Sequence, residues 1–244
     1  MAADGDGTIA TIMSGFKDPR TTWNNRYAAA AGMLFGEAPN GWLAAQRAHL
    51  EAGRSVLCPA DGDGRNGVWL ASLGLHAVAF DLADVGIDHA VAHARASGLT
   101  ERPGAVVSHL PGVRAVFDSP TGGSLALCCA DIATWPWEQT PADVIAGIFF
   151  QFAGPALRTQ VFAGFQRALK PGGLLIIEGY GPRQMVYKTG GPGVEENLYT
   201  LPLLGEAFAG WSLLHSRDCD AELAEGSAHV GASHLVSAVF RKPG

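Results

Sequence analysis

The chain has 244 residues, of which 48% are hydrophobic and 16% charged. That is apolar enough to bury the core of an α/β domain and excludes wholesale disorder. A formal net charge of -6 excludes the broad basic face that nucleic-acid binding needs, and no apolar run reaches membrane-spanning length.

The first 20 residues, rich in Gly, Asp and Ala, lack the basic and apolar regions of a signal peptide. They read as a flexible segment ahead of one domain at 21–244, and a cytoplasmic location is expected. Residues 23–36 are richer in aromatics and are expected to dock on the domain. Residues 43–50 have helical spacing. The apolar run 55–60 is a first strand, and 64–73 follows with a helical pattern. Residues 76–80 form a second strand ending at Asp81. A helix over 85–96 has Asp84 as its N-cap and Gly98 as its stop.

Residues 100–123 hold Pro103, Pro111 and Pro120 with Gly104, Gly112, Gly122 and Gly123. They read as an inserted loop or hairpin with one strand-like stretch at 105–107. Residues 125–130 are a strand ending at Asp131, and 144–150 are the next. Leu157, Val161, Phe162, Phe165 and Leu169 share a helical face that Pro171-Gly172-Gly173 terminates. Residues 174–177 are a buried strand, 181–197 a glycine-rich mobile loop, 201–208 a helix, and 211–215 and 235–240 two final strands. Continuous apolar strands alternating with helices predict an α/β, Rossmann-like sheet. It is mostly parallel, with helices on both faces and an antiparallel hairpin at one edge.

The four cysteines, Cys58, Cys128, Cys129 and Cys219, contain no C-x-x-C pair. They read as reduced thiols, and no metal site is expected from them or from the histidines. The chemistry sits in SVLCPADGDGRNGVWLA, a strand, a glycine-rich turn and a helix. Gly62, Gly64 and Gly67 satisfy G-x-G-x-x-G, where the backbone must turn sharply and approach a ligand. Asp81, at the end of the next strand, is placed to hold a ribose diol. The combination points to an adenosine-type cofactor, against a bare strand–helix turn with an acid at a strand end. Asp63 within the loop opposes a pyrophosphate and suits an ammonium. Asp131 suits the exocyclic amine of an adenine. Both lean from NAD toward S-adenosylmethionine.

Together WNNRYAAAAGMLFGEAPNGWL, VLCPADGDGRNGVWLASLGLHAVAFDLADVGIDHA, ADIATWPW, LKPGGLLIIEGYGPRQ and EGSAHVG make the chain resemble the class I S-adenosylmethionine-dependent methyltransferases. The similarity is to the compact bacterial branch of tellurite-resistance and thiopurine methyltransferases. It implies a seven-stranded sheet with an antiparallel last strand. It also implies that Ala60, Gly62 and Gly64, with Asn66 beside them, line the methionine part of the cofactor. Asp81 would bind its ribose, with Leu82, Asp131 and Ile132 around the adenine. Residues 149–152, Phe149 and Gln151 among them, would border cofactor and substrate, and Arg26 would approach the cofactor carboxylate. The chain departs from the wider class at Cys58, where an acid is usual, and at Ala60, where glycine is usual. Asp61 or Asp63 is then left to meet the ammonium. The insert at 100–123 is a further departure, either a cap over the pocket or an extension of the surface.

Methyl transfer from a sulfonium is an in-line displacement in which positioning does much of the work. A sulfur, selenium or tellurium acceptor needs little more, whereas an oxygen or nitrogen acceptor needs a base. His229, Glu178 and Tyr27 are the catalytic candidates. Tyr27, Tyr180, Arg183, Tyr187 and Tyr199 are expected to ring a small-molecule acceptor beneath a lid at 181–197. A thiol, selenium or tellurium acceptor follows from the branch resemblance. Oxygen or nitrogen methylation in specialised metabolism, a non-catalytic cofactor-binding protein and a nicotinamide-dependent oxidoreductase are the alternatives. Nothing in the chain points to a nucleic-acid or membrane partner, and the oligomeric state is left open.

Overall fold

The structure is a computed structural model that describes residues 18–244. In chain order the elements are α1 (Pro19–Ala29), α2 (Gly41–Ala45), β1 (Ser55–Pro59), α3 (Arg65–Ser72), β2 (His76–Asp81) and α4 (Asp84–Ala96). There follow β3 (Thr100–Glu101), β4 (Val113–Asp118), β5 (Ser124–Cys129), β6 (Ala142–Ile148), α5 (Pro155–Ala168) and β7 (Leu169–Tyr180). The chain ends with α6 (Gln184–Tyr187), α7 (Leu201–Ala207), β8 (Ser212–Glu225) and β9 (His229–Arg241). The stretch expected to be flexible, 1–20, falls outside the described residues except for its last three. Asp18 caps α1 by accepting from the Thr21 N–H at 3.1 Å, and Pro19 and Arg20 lie within the helix.

The sheet runs β3-β4-β5-β2-β1-β6-β7-β9-β8. Its centre, β5-β2-β1-β6-β7, is parallel, and β9 is antiparallel to both β7 and β8. The central strands are buried on both faces, which is why they are continuous apolar runs without alternation. One core lies under α5, where Leu157, Val161, Phe162 and Phe165 meet Leu175 and Ile177. The other lies under α3 and α4, where Val68, Leu70, Ile87 and Ala90 meet Val56 and Ala79. The chain steps from β1 outward to β2 and β5, then back across to β6 and β7. That reversal opens a crevice at the C-terminal strand ends, where ligands bind in open α/β sheets.

The α/β, Rossmann-like architecture expected from the sequence is the one observed, with four differences in detail. The sheet has nine strands where the resemblance implies seven. The extra two come from residues 100–118, which pair antiparallel against β5 and satisfy what is otherwise an open edge. The stretch 105–107 is loop, and the strand of this region is β4. In the hairpin, β8 (14 residues) and β9 (13 residues) are each more than twice as long as the apolar runs at 211–215 and 235–240. They pair from Ser212↔Arg241 out to Glu225↔His229. Most of β8 is open to solvent, so it lacks the apolar signature that marks buried strands. Asp84, expected as the N-cap of α4, is its first helical residue, and Ala83 occupies the cap position without a side-chain bond. The Asp84 carboxylate instead accepts from Arg20 at 2.9 Å and fastens α1 to α4.

Glu178, near the end of β7, is 1% exposed. Its carboxylate accepts from Asn40 Nδ2 at 2.6 Å, Ser237 Oγ at 2.7 Å and Arg217 Nη2 at 2.6 Å. It therefore joins the start of α2 to β9 and β8. Removing one partner from such a pair strands the others in low dielectric. Glu178→Ala is expected to lower the unfolding free energy by about 3 kcal/mol in urea titrations.

Candidate active site

The crevice at the strand ends holds two adjoining cavities. The first begins where β1 ends. Ala60 turns the chain with φ +53°, a left-handed conformation unusual for a residue with a Cβ. Asp61 follows and folds back on α3, accepting from the Gly67 N–H at 2.8 Å and Asn66 Nδ2 at 2.9 Å. Gly62, at φ +59°, donates its N–H to Asp81 Oδ2 at 3.0 Å. A Cβ there would lie 2.3 Å from the Tyr27 hydroxyl oxygen, so only glycine lets loop, acid and tyrosine meet. The other Asp81 oxygen accepts from the Ala83 N–H at 2.9 Å.

Acid is concentrated here. Burial pushes Asp61 up to about 7 and Asp81 up to about 6, against the backbone hydrogen bonds each receives. Asp63 is raised by burial too, and its Oδ1 has no hydrogen-bond partner among the described residues. Asp61 and Asp81 face the cavity, whereas Asp63 lies behind the wall toward the Phe35 N–H. Arg65 is the nearby cation, but it is committed to the Phe35 carbonyl at 2.9 Å and to Glu225 at 2.8 Å. Cys58, at the position where an acid is usual, is buried in the core, and burial holds its thiol well above the usual range.

The first cavity is also lined by Phe80, Leu82, Ala130, Asp131, Ile132 and Ile148, all apolar but Asp131. Phe80 is backed by the Trp135 ring, stacked at 3.8 Å. Trp23, Tyr27 and Phe35 close the cavity from the N-terminal segment. Burial, then the charges of Asp81, Asp63 and Asp61, raise the Tyr27 phenol well above its ordinary value. It therefore stays protonated and is a poor base.

The second cavity is lined by Arg26, Leu34, Gln151, Tyr180, Asn197, Ala228 and the Gly190-Gly191-Pro192 turn. It shares Trp23, Phe35, Phe149, Phe152 and His229 with the first. Phe149 has φ +52°, a strained state for a bulky residue that persists only where the surroundings impose it. Its N–H donates to the Glu178 carbonyl at 2.9 Å. Its ring lies 4.4 Å from His229 and 4.9 Å from Tyr180. Burial lowers the His229 pKa below that of a free imidazole, so the ring is neutral near pH 7.

The structure thus gathers Tyr27, Ala60, Asn66, Asp81, Leu82, Asp131, Ile132, Phe149 and His229 around the first cavity, with Gly62 and Gly64 shaping its loop. Arg26 and Gln151 stand apart, on the second cavity. The Gln151 amide is bound to the Tyr180 backbone and the Asn197 carbonyl, which leaves it a structural part of that wall. Glu178 is not among the residues lining either cavity, because Asn40, Ser237 and Arg217 enclose its carboxylate. Of the residues expected to ring the acceptor, only Tyr27 and Tyr180 reach a cavity. Tyr199 is sealed in the core, and Arg183 pairs with Asp218 and Asp220 on the surface. Sequence reasoning passed over Arg65, Phe80 and Glu225. An apolar residue just before a strand-end acid is the only trace Phe80 leaves, and nothing local marks the other two. No group of three or more His, Cys, Asp or Glu side chains among the described residues is arranged to hold a metal.

Two outcomes follow. Ala60→Gly relieves the left-handed strain, partly offset by greater freedom of the unfolded chain. It is expected to stabilise by about 0.5–1 kcal/mol, a calorimetric Tm rise of about 1–4 °C. The raised carboxyls of Asp61 and Asp81 bind protons in the folded state that the unfolded chain releases. Stability of the ligand-free protein therefore falls as pH rises through the window from about 4 to about 7. Tm measured across that window should show the decline, and Asp61→Asn should flatten it.

No protein-family model matches the chain, and no curated protein matches it in sequence. Solved structures do resemble it. A protein from a study of the conversion of a disulfide bond into a thioacetal group during echinomycin biosynthesis is 16% identical, with a TM-score of 0.65 over 92% of this chain and 93% of its own. The N-methyltransferase NodS from Bradyrhizobium japonicum, bound to S-adenosyl-L-homocysteine, is 12% identical, with a TM-score of 0.62 over 92% and 98%. TehB from Haemophilus influenzae is 15% identical, with a TM-score of 0.59 over 81% of this chain and 60% of its own. At these identities the likeness is one of architecture: the chain is built on the Rossmann-like fold of the S-adenosylmethionine-dependent methyltransferases.

Proposed function

We propose that this protein transfers the methyl group of S-adenosylmethionine to a small-molecule acceptor held in the second cavity. The observation that carries the reading is the shared wall of Trp23, Phe35, Phe149, Phe152 and His229. These residues line both an acid-rich pocket and the more aromatic one beside it. The NodS structure with S-adenosyl-L-homocysteine supports the choice of cofactor. So does the chemistry of the pocket, where the buried Asp61 suits the positively charged methionine end and would repel a pyrophosphate.

When bound, S-adenosylmethionine supplies a methyl carbon on a cationic sulfur that leaves readily. The residues of the chain do the rest by placement. Asp81 holds the ribose hydroxyls. Leu82, Asp131 and Ile132 hold the adenine against Phe80. Asp61, fixed by Asn66 and Gly67, faces the ammonium in the role that Cys58 does not fill. The aromatic wall excludes water from the line of transfer.

For the acceptor, the branch resemblance supports a sulfur, selenium or tellurium atom. A second reading, an oxygen or nitrogen acceptor, is supported by His229, a neutral imidazole on the wall between the cavities. The chain reads as a one-domain enzyme acting on small molecules, and no helix among the described residues is long and apolar enough to cross a membrane.

Calorimetric titration tests the proposal. S-adenosylmethionine and its demethylated product are expected to bind, and Asp81→Asn to weaken both by about tenfold or more, which is about 1.4 kcal/mol. Binding of NAD with no binding of S-adenosylmethionine would refute it.

A further inference from the structure

We propose that Glu225 and His229 form a proton-accepting pair at the acceptor cavity, and that the acceptor is an aromatic hydroxyl or amine. The proposal rests on the methyltransferase reading and takes it one step further, to substrate class. Glu225 closes β8 and His229 opens β9, so the tight turn of the hairpin brings them together across the strand pair. The His229 ring is held in place by its neighbours, with Phe149 at 4.4 Å, Phe35 at 4.7 Å and the edge of Tyr180 at 5.7 Å. Its two nitrogens differ. Nδ1 is sealed from solvent without a hydrogen bond and faces Glu225 Oε2 at 3.7 Å. Nε2 is left as the nitrogen on the cavity side.

A neutral imidazole carries one proton. A buried N–H needs an acceptor more than a cavity-facing one does, so the proton belongs on Nδ1, toward the carboxylate. The lone pair on Nε2 then points at the acceptor. Glu225 is itself anchored by Arg65 at 2.8 Å, the Gly41 N–H at 3.2 Å and Asn40 Nδ2 at 3.4 Å. Burial works against its charge, but His229 and Arg65 outweigh burial and hold it down at about 2. The charged groups acting on His229 are Glu225 and Asp63, which favour its protonation, and Arg65, which opposes it. A separation of 3.7 Å is long for a hydrogen bond, and such contacts commonly tighten when substrate binds.

This arrangement serves an acceptor that must lose a proton. As its O–H or N–H proton passes to His229 Nε2, the freed lone pair forms the bond to the methyl carbon. The carbon–sulfur bond breaks with its electron pair kept by sulfur, and the imidazolium then releases its proton to water. A thiol, already partly ionised near pH 7, gains little from such a base. The aromatic lining of Trp23, Phe35, Phe149, Phe152 and Tyr180 suits a planar ring carrying the nucleophile.

The first test needs no variant. Nitrogen-resolved NMR of the wild-type protein is expected to show His229 as the Nδ1–H tautomer, with a pKa that falls further in Glu225→Gln. The second compares matched phenols and thiophenols as acceptors. His229→Asn should lower the ratio of phenol to thiophenol methylation by about 100-fold or more, with both rates measured at cofactor concentrations set by the variant's own calorimetric affinity. Glu225→Gln should lower kcat for phenols by a larger factor than kcat for thiophenols and move the acidic limb of the phenol pH profile down, and Glu225→Asp should restore part of the rate. An Nε2–H tautomer overturns the pair, as does a phenol-to-thiophenol ratio that survives in His229→Asn, or turnover confined to thiols. Failure of the wild-type protein to bind S-adenosylmethionine sinks the methyltransferase reading beneath it, so the two failures are told apart.

Discussion

Arg65 and Glu225 meet at 2.8 Å with side chains 4% and 16% exposed, and the geometry of both cavities hangs on that contact. Arg65 is the first residue of α3, on the glycine-rich turn, and Glu225 is the last of β8. The pair ties the cofactor side of the crevice to the tip of a hairpin that comes from the far end of the chain. Through the Phe35 carbonyl, Arg65 also fastens the N-terminal aromatic segment. Through the Gly41 N–H, Glu225 fastens the start of α2. A buried ion pair gains little net stability over apolar packing. Its effect here is positional, since four segments distant in sequence converge on two side chains.

Around that contact the protein keeps features that lower its stability. Ala60 and Phe149 hold left-handed backbone, and Asp61, Asp63 and Asp81 are buried close together with little cationic compensation. Each is costly in a ligand-free protein, and all lie at the strand ends bordering one crevice. A cationic ligand that accepts hydrogen bonds from the loop and faces the acids would offset much of that cost. Burial, and after it the same concentration of charge, keeps the Tyr27 phenol protonated, which reserves it for packing and hydrogen bonding.

Several departures from the expected pattern become intelligible in three dimensions. Cys58 points into the core beneath α3, so its position carries no burden at the cavity, and Asp61 stands on the wall in its place. The insert at 100–123 lies at the opposite edge of the sheet from the hairpin and pairs with β5, so it extends the surface and does not cap the pocket. Glu178 looked like an active-site acid because it ends a central strand. Three donors converge on it and make it the clamp between α2, β8 and β9.

The fold class, the central strands, the helices over 64–73 and 85–96, the helical face from Leu157 to Phe165 (Leu169, expected on that face, and Pro171-Gly172-Gly173, expected as its stop, belong to β7), and the glycine-rich loop with Asp81 were readable from the residues alone. Each rests on local physics: an apolar run buried on both faces, a helical stripe, a glycine where a Cβ has no room. The resemblance of EGSAHVG drew attention to His229, but nothing in that motif says which nitrogen faces a ligand. What only the tertiary structure decided were the partners. Phe80, Arg65 and Glu225 acquire their roles from residues tens to more than a hundred positions away, and Arg26 and Gln151 moved to the second cavity for the same reason. The length of β8 was hidden because its exposed and half-buried positions alternate with only Leu223 buried, so the strand contains no continuous apolar run beyond its first residues. The glycine-rich loop alone carries the signature of its ligand, since backbone shape is written locally, whereas charge and proton placement depend on what folding brings alongside.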